Sequence, residues 1–432
     1  MLAIGMKEVV ITPPLGVNIP GQFKSRISTG IRDELYAKAM VVDDGQKMLA
    51  FIVLDVLDLL RPAVVQIRER VTAHTGIAED CVMISATHTH QGAPVRAGFS
   101  LTVDEDYTPY MVKKAADAAI MAFHDRREAV LGHGRGAEGD IAFNRRFRMK
   151  DGTIRTNPGI GNPEIDRSVG PIDPEVIVLR IDDLEGNPIG VVSNYACHTD
   201  TIGGTEYSAD FPGEISRTIK KNLGEHVVSL FLQGACGDIN HVDVNGTSAT
   251  KPPDHYVKMG RILAWEILRA REKAIPAQDH HADIRIAHVT ANYRILTEEH
   301  INRLQELMSS GNEVEQMIAR QDITLLDQQE RTTELEIQVA RLGELVIVGL
   351  PAENFVAFGL EIKQRSPYSY TMINELCNGS GSGYICTREA YRQGGYEPTI
   401  RPWSRLDEDT GELLVEESLR LLEQINHEHP GR

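Results

Sequence analysis

Cysteine is scarce in this chain of 432 residues: five, at positions 81, 197, 236, 377 and 386, with no Cys-x-x-Cys pair. An odd, scattered set supports neither a disulfide framework nor a cysteine-ligated zinc knuckle, so reduced thiols are expected. Long apolar runs are missing too. Even residues 49–60 carry Asp55 and Asp58, and a membrane-spanning helix, which needs ~18 or more apolar residues, is excluded. Residues 1–14 lack the basic start, apolar middle and small-residue cleavage site of a secretory signal, so a cytoplasmic protein is expected. Basic charge is in deficit. Against 62 Asp and Glu stand 45 Lys and Arg, a net −17, and with no basic patch nucleic acid is not an expected partner. Proline and glycine, 20 and 37 residues, are too few for collagen or a low-complexity chain. What remains, 41% apolar and 25% charged, is the balance of a folded globular protein with one large domain or two. A homo-oligomer stays open.

The apolar pattern alternates between strands and helices. Strands are expected at 37–43, 48–55 and 81–86, with a helix at 61–75 ending on Gly76 and another at about 106–124. Residues 150–174, rich in Gly and Pro, read as a loop. A hairpin or crossover follows around residues 185–188, then a strand at 227–232 and a helix at 256–274. Residues 299–332 read as solvated charged helices. Residues 334–340 read as a half-exposed strand and 345–350 as a buried one. This rhythm points to α/β architecture, with 275–345 a candidate inserted subdomain.

Chemistry gathers at the strand ends, where loops build sites. Thr87-His88-Thr89-His90 follows the strand at 81–86, and in an extended chain residues i and i+2 share a face. The pair suits two ligands of one metal, or one ligand and a neighbouring proton shuttle. His198 ends the next buried run, with Cys197 and Asp200 as weaker candidates. Gly237, Asp238 and Asn240 follow the strand at 227–232. Glu353 stands after residues 345–350, and a glycine loop at 378–383 presents Tyr384. Gly134-Arg-Gly-Ala-Glu-Gly139 fits the dinucleotide pattern GxGxxG, but the segment after it alternates like a strand and opens no helix.

With these residues in view, the sequence resembles the neutral/alkaline non-lysosomal ceramidase family. The likeness is carried by residues 30–39, the box Ser85-Ala-Thr-His-Thr-His-Gln-Gly92, Asn144-Arg145, Asn194 to His198, Ser208-Ala-Asp210, Gly237-Asp238, Pro351-Ala-Glu353, residues 383–391 and Tyr396-Glu397. The resemblance implies a mixed-sheet α/β catalytic domain filling residues 1–432, with helices on the sheet faces. It implies a short cytoplasmic relative lacking the family's C-terminal immunoglobulin-like domain. It further implies a zinc amidase with one Zn2+ held by His88, His198, Glu353 and Tyr384. His90 would move protons, and Arg145 and Tyr396 would stabilise the oxyanion. Asp210, Asp238 and Asn240 are assigned to substrate binding, Asn240 standing where the family has serine. Site-flanking segments rich in Gly, Asn, Asp and Arg suit a small polar amide, ester or sugar-linked substrate. The alternatives are a carbohydrate-active zinc hydrolase or lyase, and a non-catalytic metal-binding protein.

Overall fold

The structure, a computed structural model, describes residues 2–95, 106–246, 252–328, 330–379 and 383–428. Strand β1 (Ala3–Val10) is followed by β2 (Tyr36–Asp43), β3 (Met48–Leu54), α1 (Arg61–Thr75) and β4 (Val82–Ala86). Helix α1 carries proline in its first turn and ends on Gly76 at φ 75°, the left-handed cap that glycine adopts without strain. Then come α2 (Tyr107–His124), β5 (Arg127–Ala137), β6 (Glu175–Asp183), β7 (Pro188–Tyr195), α3 (Asp210–Leu223), β8 (Val228–Gln233) and α4 (His255–Glu272). The last part comprises β9 (Ala282–Asn292), α5 (Glu298–Ser310), α6 (Glu313–Asp322), β10 (Thr332–Leu342) and β11 (Leu345–Gly349), then α7 (Val356–Arg365), β12 (Tyr370–Asn374) and the C-terminal helix α8 (Thr410–Glu428). Among the described residues no helix is long and apolar enough to cross a membrane.

Two mixed sheets result. The larger runs β8-β7-β6-β5-β1-β2-β3-β4, with Ile275–Pro276 added on β5. Its β3–β4 and β7–β8 pairs are parallel and the others antiparallel. The smaller runs β9-β10-β11-β12, parallel only at β11–β12. Period-2 alternation sorts each strand between two cores. On β6, Ile177, Leu179 and Ile181 join the central core, while Val176 and Val178 face α3 and α4. In the smaller sheet, Ala340, Leu342, Leu345 and Ile347 join that same central core, and Leu335, Ile337, Val339, Val346 and Val348 pack with α7 and α8. Burial on both faces explains why these strands read as nearly continuous apolar runs.

The site depends on how the large sheet curls. β8 and β4 end the strand order, yet β8 also lies against β2, β3 and β4, as accumulated strand twist permits. The segment after β12 stitches the two edges together: Glu375 N donates to Gln233 O (2.8 Å), and Asn378 N donates to Ile84 O (2.8 Å). The loops after β4, β7, β8 and β11 thereby meet at one place.

Three expectations are corrected. Residues 150–174 are not all loop, because Ile154–Thr156 and Ile165–Ser168 pair with Arg146–Met149 in a small sheet. Short strands among glycines and prolines leave no periodic signal. β10 is not half-exposed: from Leu335 onward it is buried, its polar Glu336 and Gln338 included. Arg68 of α1 explains this, since it forms a two-pronged ion pair with Glu336 (2.7 and 3.1 Å). Lastly, the GxGxxG stretch begins inside β5, where Gly134 lies against the Ala270 carbonyl of α4; the glycine admits a helix, not a dinucleotide. The segment 275–345 supplies β9 and β10, which share a sheet with β11, plus α5, which buries no residue.

Candidate metal centre and active site

His88 stands two residues past β4, at φ 66°. The chain therefore leaves the strand in a left-handed turn rather than continuing the pleat, and the expectation that His88 and His90 share a strand face is corrected. They face one another all the same. Their Nε2 atoms lie 3.3 Å apart, and His198 Nε2 comes within 3.0 Å of His88 Nε2. Each ring is aimed from behind through Nδ1: His88 to Leu57 O (2.7 Å), His90 to Gly21 O (2.7 Å) and His198 to Cys236 O (3.3 Å). With Nδ1 facing a carbonyl, each Nε2 points inward, and on the neutral rings of His90 and His198 it is left as a lone pair.

Glu353 enters from β11, the chain turning through Ala352 at φ 64°. Its Oε2 lies 3.4 Å from His88 Nε2 and 3.8 Å from His198 Nε2, and it is buried without a hydrogen-bond partner. Three inward nitrogens and a carboxylate oxygen without a hydrogen bond crowd one point, which a cation among them, a proton on His88 or a metal ion, neutralises. The spacing fits a metal ion. Zinc bonded to nitrogen or oxygen at about 2.0–2.1 Å sets ligand atoms about 3.3 Å apart on a tetrahedron, against 3.0, 3.4 and 3.8 Å within the set His88, His198 and Glu353. Among the described residues, His88, His90 and His198 form the metal-competent group of nitrogens.

The electrostatics point the same way. Burial works against a charge on His88, but Glu353 overrides it and lifts this ring to about 9. Burial, reinforced by the charge of His88, drops His90 to about 4 and holds His198 well below the usual histidine range. Glu353 stays well below the carboxylate range despite its burial, because His88 is beside it. The cluster thus attracts positive charge to its centre while two imidazoles stay neutral, the protonation that metal ligation requires.

The remaining candidates divide. Tyr384 pairs with Glu353 in a short parallel ladder and is buried, its phenol pushed well above its ordinary range by that burial and by Glu353. Residues 380–382 of the loop before it lie outside the described residues. Gly383, at φ 65°, leaves no room for a side chain against the Trp403 carbonyl, so Tyr384 is fixed by a backbone contact only glycine allows. The Arg145 guanidinium lies 5.3 Å over the Tyr384 ring, and Tyr396 meets that ring edge-on at 5.8 Å. Asp238 is occupied at both oxygens, by Asn144 Nδ2 and Val356 N, both 2.8 Å. Asp210, at φ 55°, accepts from Thr201 N (2.9 Å) and Phe211 N (2.6 Å). Asn240 Nδ2 donates to Asn157 Oδ1 (3.0 Å). Cys197 is fully buried, and Asp200 bonds His241 rather than joining the cluster.

Several supporting residues receive no role from the sequence, Glu397 being noted there only as part of the family resemblance. Glu397, with no exposed surface, clamps Arg145 Nε (2.9 Å) and Arg146 Nη1 (2.8 Å). Glu397→Gln should lower unfolding free energy by about 3–5 kcal/mol, since it leaves buried guanidinium charge uncompensated. Urea melts check this, and an unchanged midpoint would show that the clamp carries no weight. Behind His198, the Cys236 thiol donates to Glu375 Oε1 (3.1 Å), and burial pushes Glu375 up to about 8, so this carboxyl adds little charge at neutral pH. Gly21, at φ 92°, seats His90, whose ring would lie 2.7 Å from any Cβ there. Arg26 Nη2 pins the same loop through His90 O and Pro20 O, both 2.6 Å. Only distant pairing reveals such roles, so no local pattern announces them.

Comparison with known proteins bears on the family and the fold. Residues 3–251 match the family described as neutral/alkaline non-lysosomal ceramidase, N-terminal. A neutral ceramidase of Drosophila pseudoobscura pseudoobscura is 27% identical over 264 residues, 55% of this chain and 36% of that protein. Neutral ceramidase A of Dictyostelium discoideum is 24% identical over 227 residues, 49% of this chain and 30% of that one. This chain therefore spans about a third of the length of these curated relatives. The crystal structure of neutral ceramidase from Pseudomonas aeruginosa superposes with a TM-score of 0.75 at 18% identity, covering 100% of this chain and 75% of that one, and so shares the fold. With more than half of its residues inside the family match, the chain belongs to the neutral/alkaline non-lysosomal ceramidase family.

Proposed function

We propose that the protein is a zinc-dependent amidase that hydrolyses an amide, or an ester, in a small polar substrate. The observation carrying this reading is the meeting of three inward imidazole nitrogens with the partnerless Glu353 oxygen. His88, His198 and Glu353 would hold one Zn2+, with Tyr384 beside them. Bound there, zinc supplies Lewis acidity and brings the pKa of a water near neutrality. His90, neutral at pH 7, takes the proton of the attacking water and returns it to the leaving nitrogen, so a C–O bond forms and the C–N bond breaks. Arg145 is held rigid by Glu397 and by its bond to Gly237 O (2.7 Å), and with the half-buried Tyr396 it faces the charge that develops on the carbonyl oxygen. Asp210, Asp238 and Asn240 act on substrate through the loops they order, since each already serves a protein partner. A polar wall and the family's implied chemistry support a small N-acylated metabolite.

The test is a chelator-stripped protein titrated with zinc and assayed against N-acyl amino acids, N-acyl amino sugars, lactones and short ceramides. One zinc per chain should restore hydrolysis of at least one acyl compound. Full metal loading with no acyl hydrolysis would overturn the amidase and favour a carbohydrate-active or purely metal-binding protein.

A further inference from the structure

Beside the imidazole cluster stands a carboxylate that the chemistry above does not use. Asp200 lies two residues beyond His198, and the intervening Thr199 is fixed on both sides. Its carbonyl accepts from His90 N (3.1 Å), and its Oγ1 donates to Thr87 O (2.7 Å). Asp200 is thereby held on the wall that carries His90 and His198. Its Oδ1 pairs with His241 Nδ1 at 3.0 Å. Around His241 the wall is polar: Asn240 bonds Asn157, and the His255 ring lies 5.4 Å from that of His241. The other oxygen, Oδ2, has no protein donor among the described residues, and the side chain keeps 28% of its surface exposed. Two residues from His198 along the chain, and with its charge acting on His90, His198 and Arg145, Asp200 stands beside the site.

A carboxylate oriented by one histidine and otherwise open calls for a donor from the ligand. A charged donor answers both its hydrogen-bonding capacity and its charge. We propose that Asp200, positioned by His241, determines specificity by binding an ammonium group on the leaving amine, so that N-acyl diamines are preferred over N-acyl alkylamines of the same length. The proposal rests on the amidase reading for its substrate side. An alkyl chain there would strip water from Asp200 and return nothing, which is why a site built for a donor rejects the analogue lacking it.

The experiment compares N-acyl-1,3-diaminopropane, N-acyl-3-aminopropanol and N-acylpropylamine on zinc-loaded protein. Wild-type kcat/KM should fall in that order, by about 10- to 100-fold from first to last, mostly through KM. Asp200→Asn should remove the advantage of the diamine, leave the alkylamine within about threefold and leave zinc content unchanged; His241→Asn should give a smaller loss of the same kind. Calorimetric binding of the free amines decides the matter independently of turnover. 1,3-Diaminopropane should bind wild type at least about tenfold tighter than propylamine, and Asp200→Asn should bind the two equally. Equal wild-type affinity for the two amines, or an Asp200→Asn loss shared by all three substrates, would overturn the proposal. Absence of any turnover with the binding difference intact would refute the amidase reading alone.

Discussion

His198→Ala is expected to remove both the bound zinc and the activity, lowering kcat/KM by at least about 10^4-fold. The ring is 1% exposed, and its Nε2 sits 3.0 Å from that of His88 and 3.8 Å from Glu353 Oε2. Deleting it takes one donor from a set whose members are separated as tetrahedral neighbours. Behind the ring, Cys236 is tied through Glu375 to Asn354 N (2.7 Å), so the backbone that aims His198 is stiff and will not close over the gap. Metal content by atomic absorption and turnover on the same sample check this. A variant that keeps stoichiometric zinc would exclude His198 as a ligand.

His90→Ala should behave differently, keeping zinc while losing about 10^2- to 10^4-fold in kcat, the usual worth of a positioned general acid–base. His90 is less buried than the other two rings, and it is held by the loop at Gly21 and Arg26 rather than by the strand core. Burial and the charge of His88 lower its pKa to about 4, so above that pH the ring is neutral and able to accept a proton. Equal metal loss in His90→Ala and His198→Ala would make His90 a ligand and leave the reaction without its base.

The strand ends were the legible part of the site. His88, His198 and Glu353 each follow an apolar run and Tyr384 follows a glycine loop, and strand termini are where an α/β fold presents side chains. What put them together was not legible. The meeting of β8 with β4 depends on accumulated twist and on the stitching by Glu375 and Asn378, pairings that reach 142 residues back to Gln233 and 294 back to Ile84 and that no local period encodes. Nor does composition reveal the left-handed turns at His88 and Ala352, which point their neighbours inward at a conformational cost of about 1–3 kcal/mol each. Glu336 and Gln338 misled for a similar reason. A polar alternation ordinarily marks a solvent face, but here Arg68 and a backbone carbonyl of the 3-10 turn at Asp80 meet the polar side chains inside.

The most direct measurement is anomalous diffraction at the zinc edge from crystals grown with one equivalent of zinc. A single peak bonded to His88 Nε2, His198 Nε2 and Glu353 Oε2, with His90 outside the coordination sphere, is the expected result. A peak ligated by His90 in place of Glu353, or none among these residues, would contradict it.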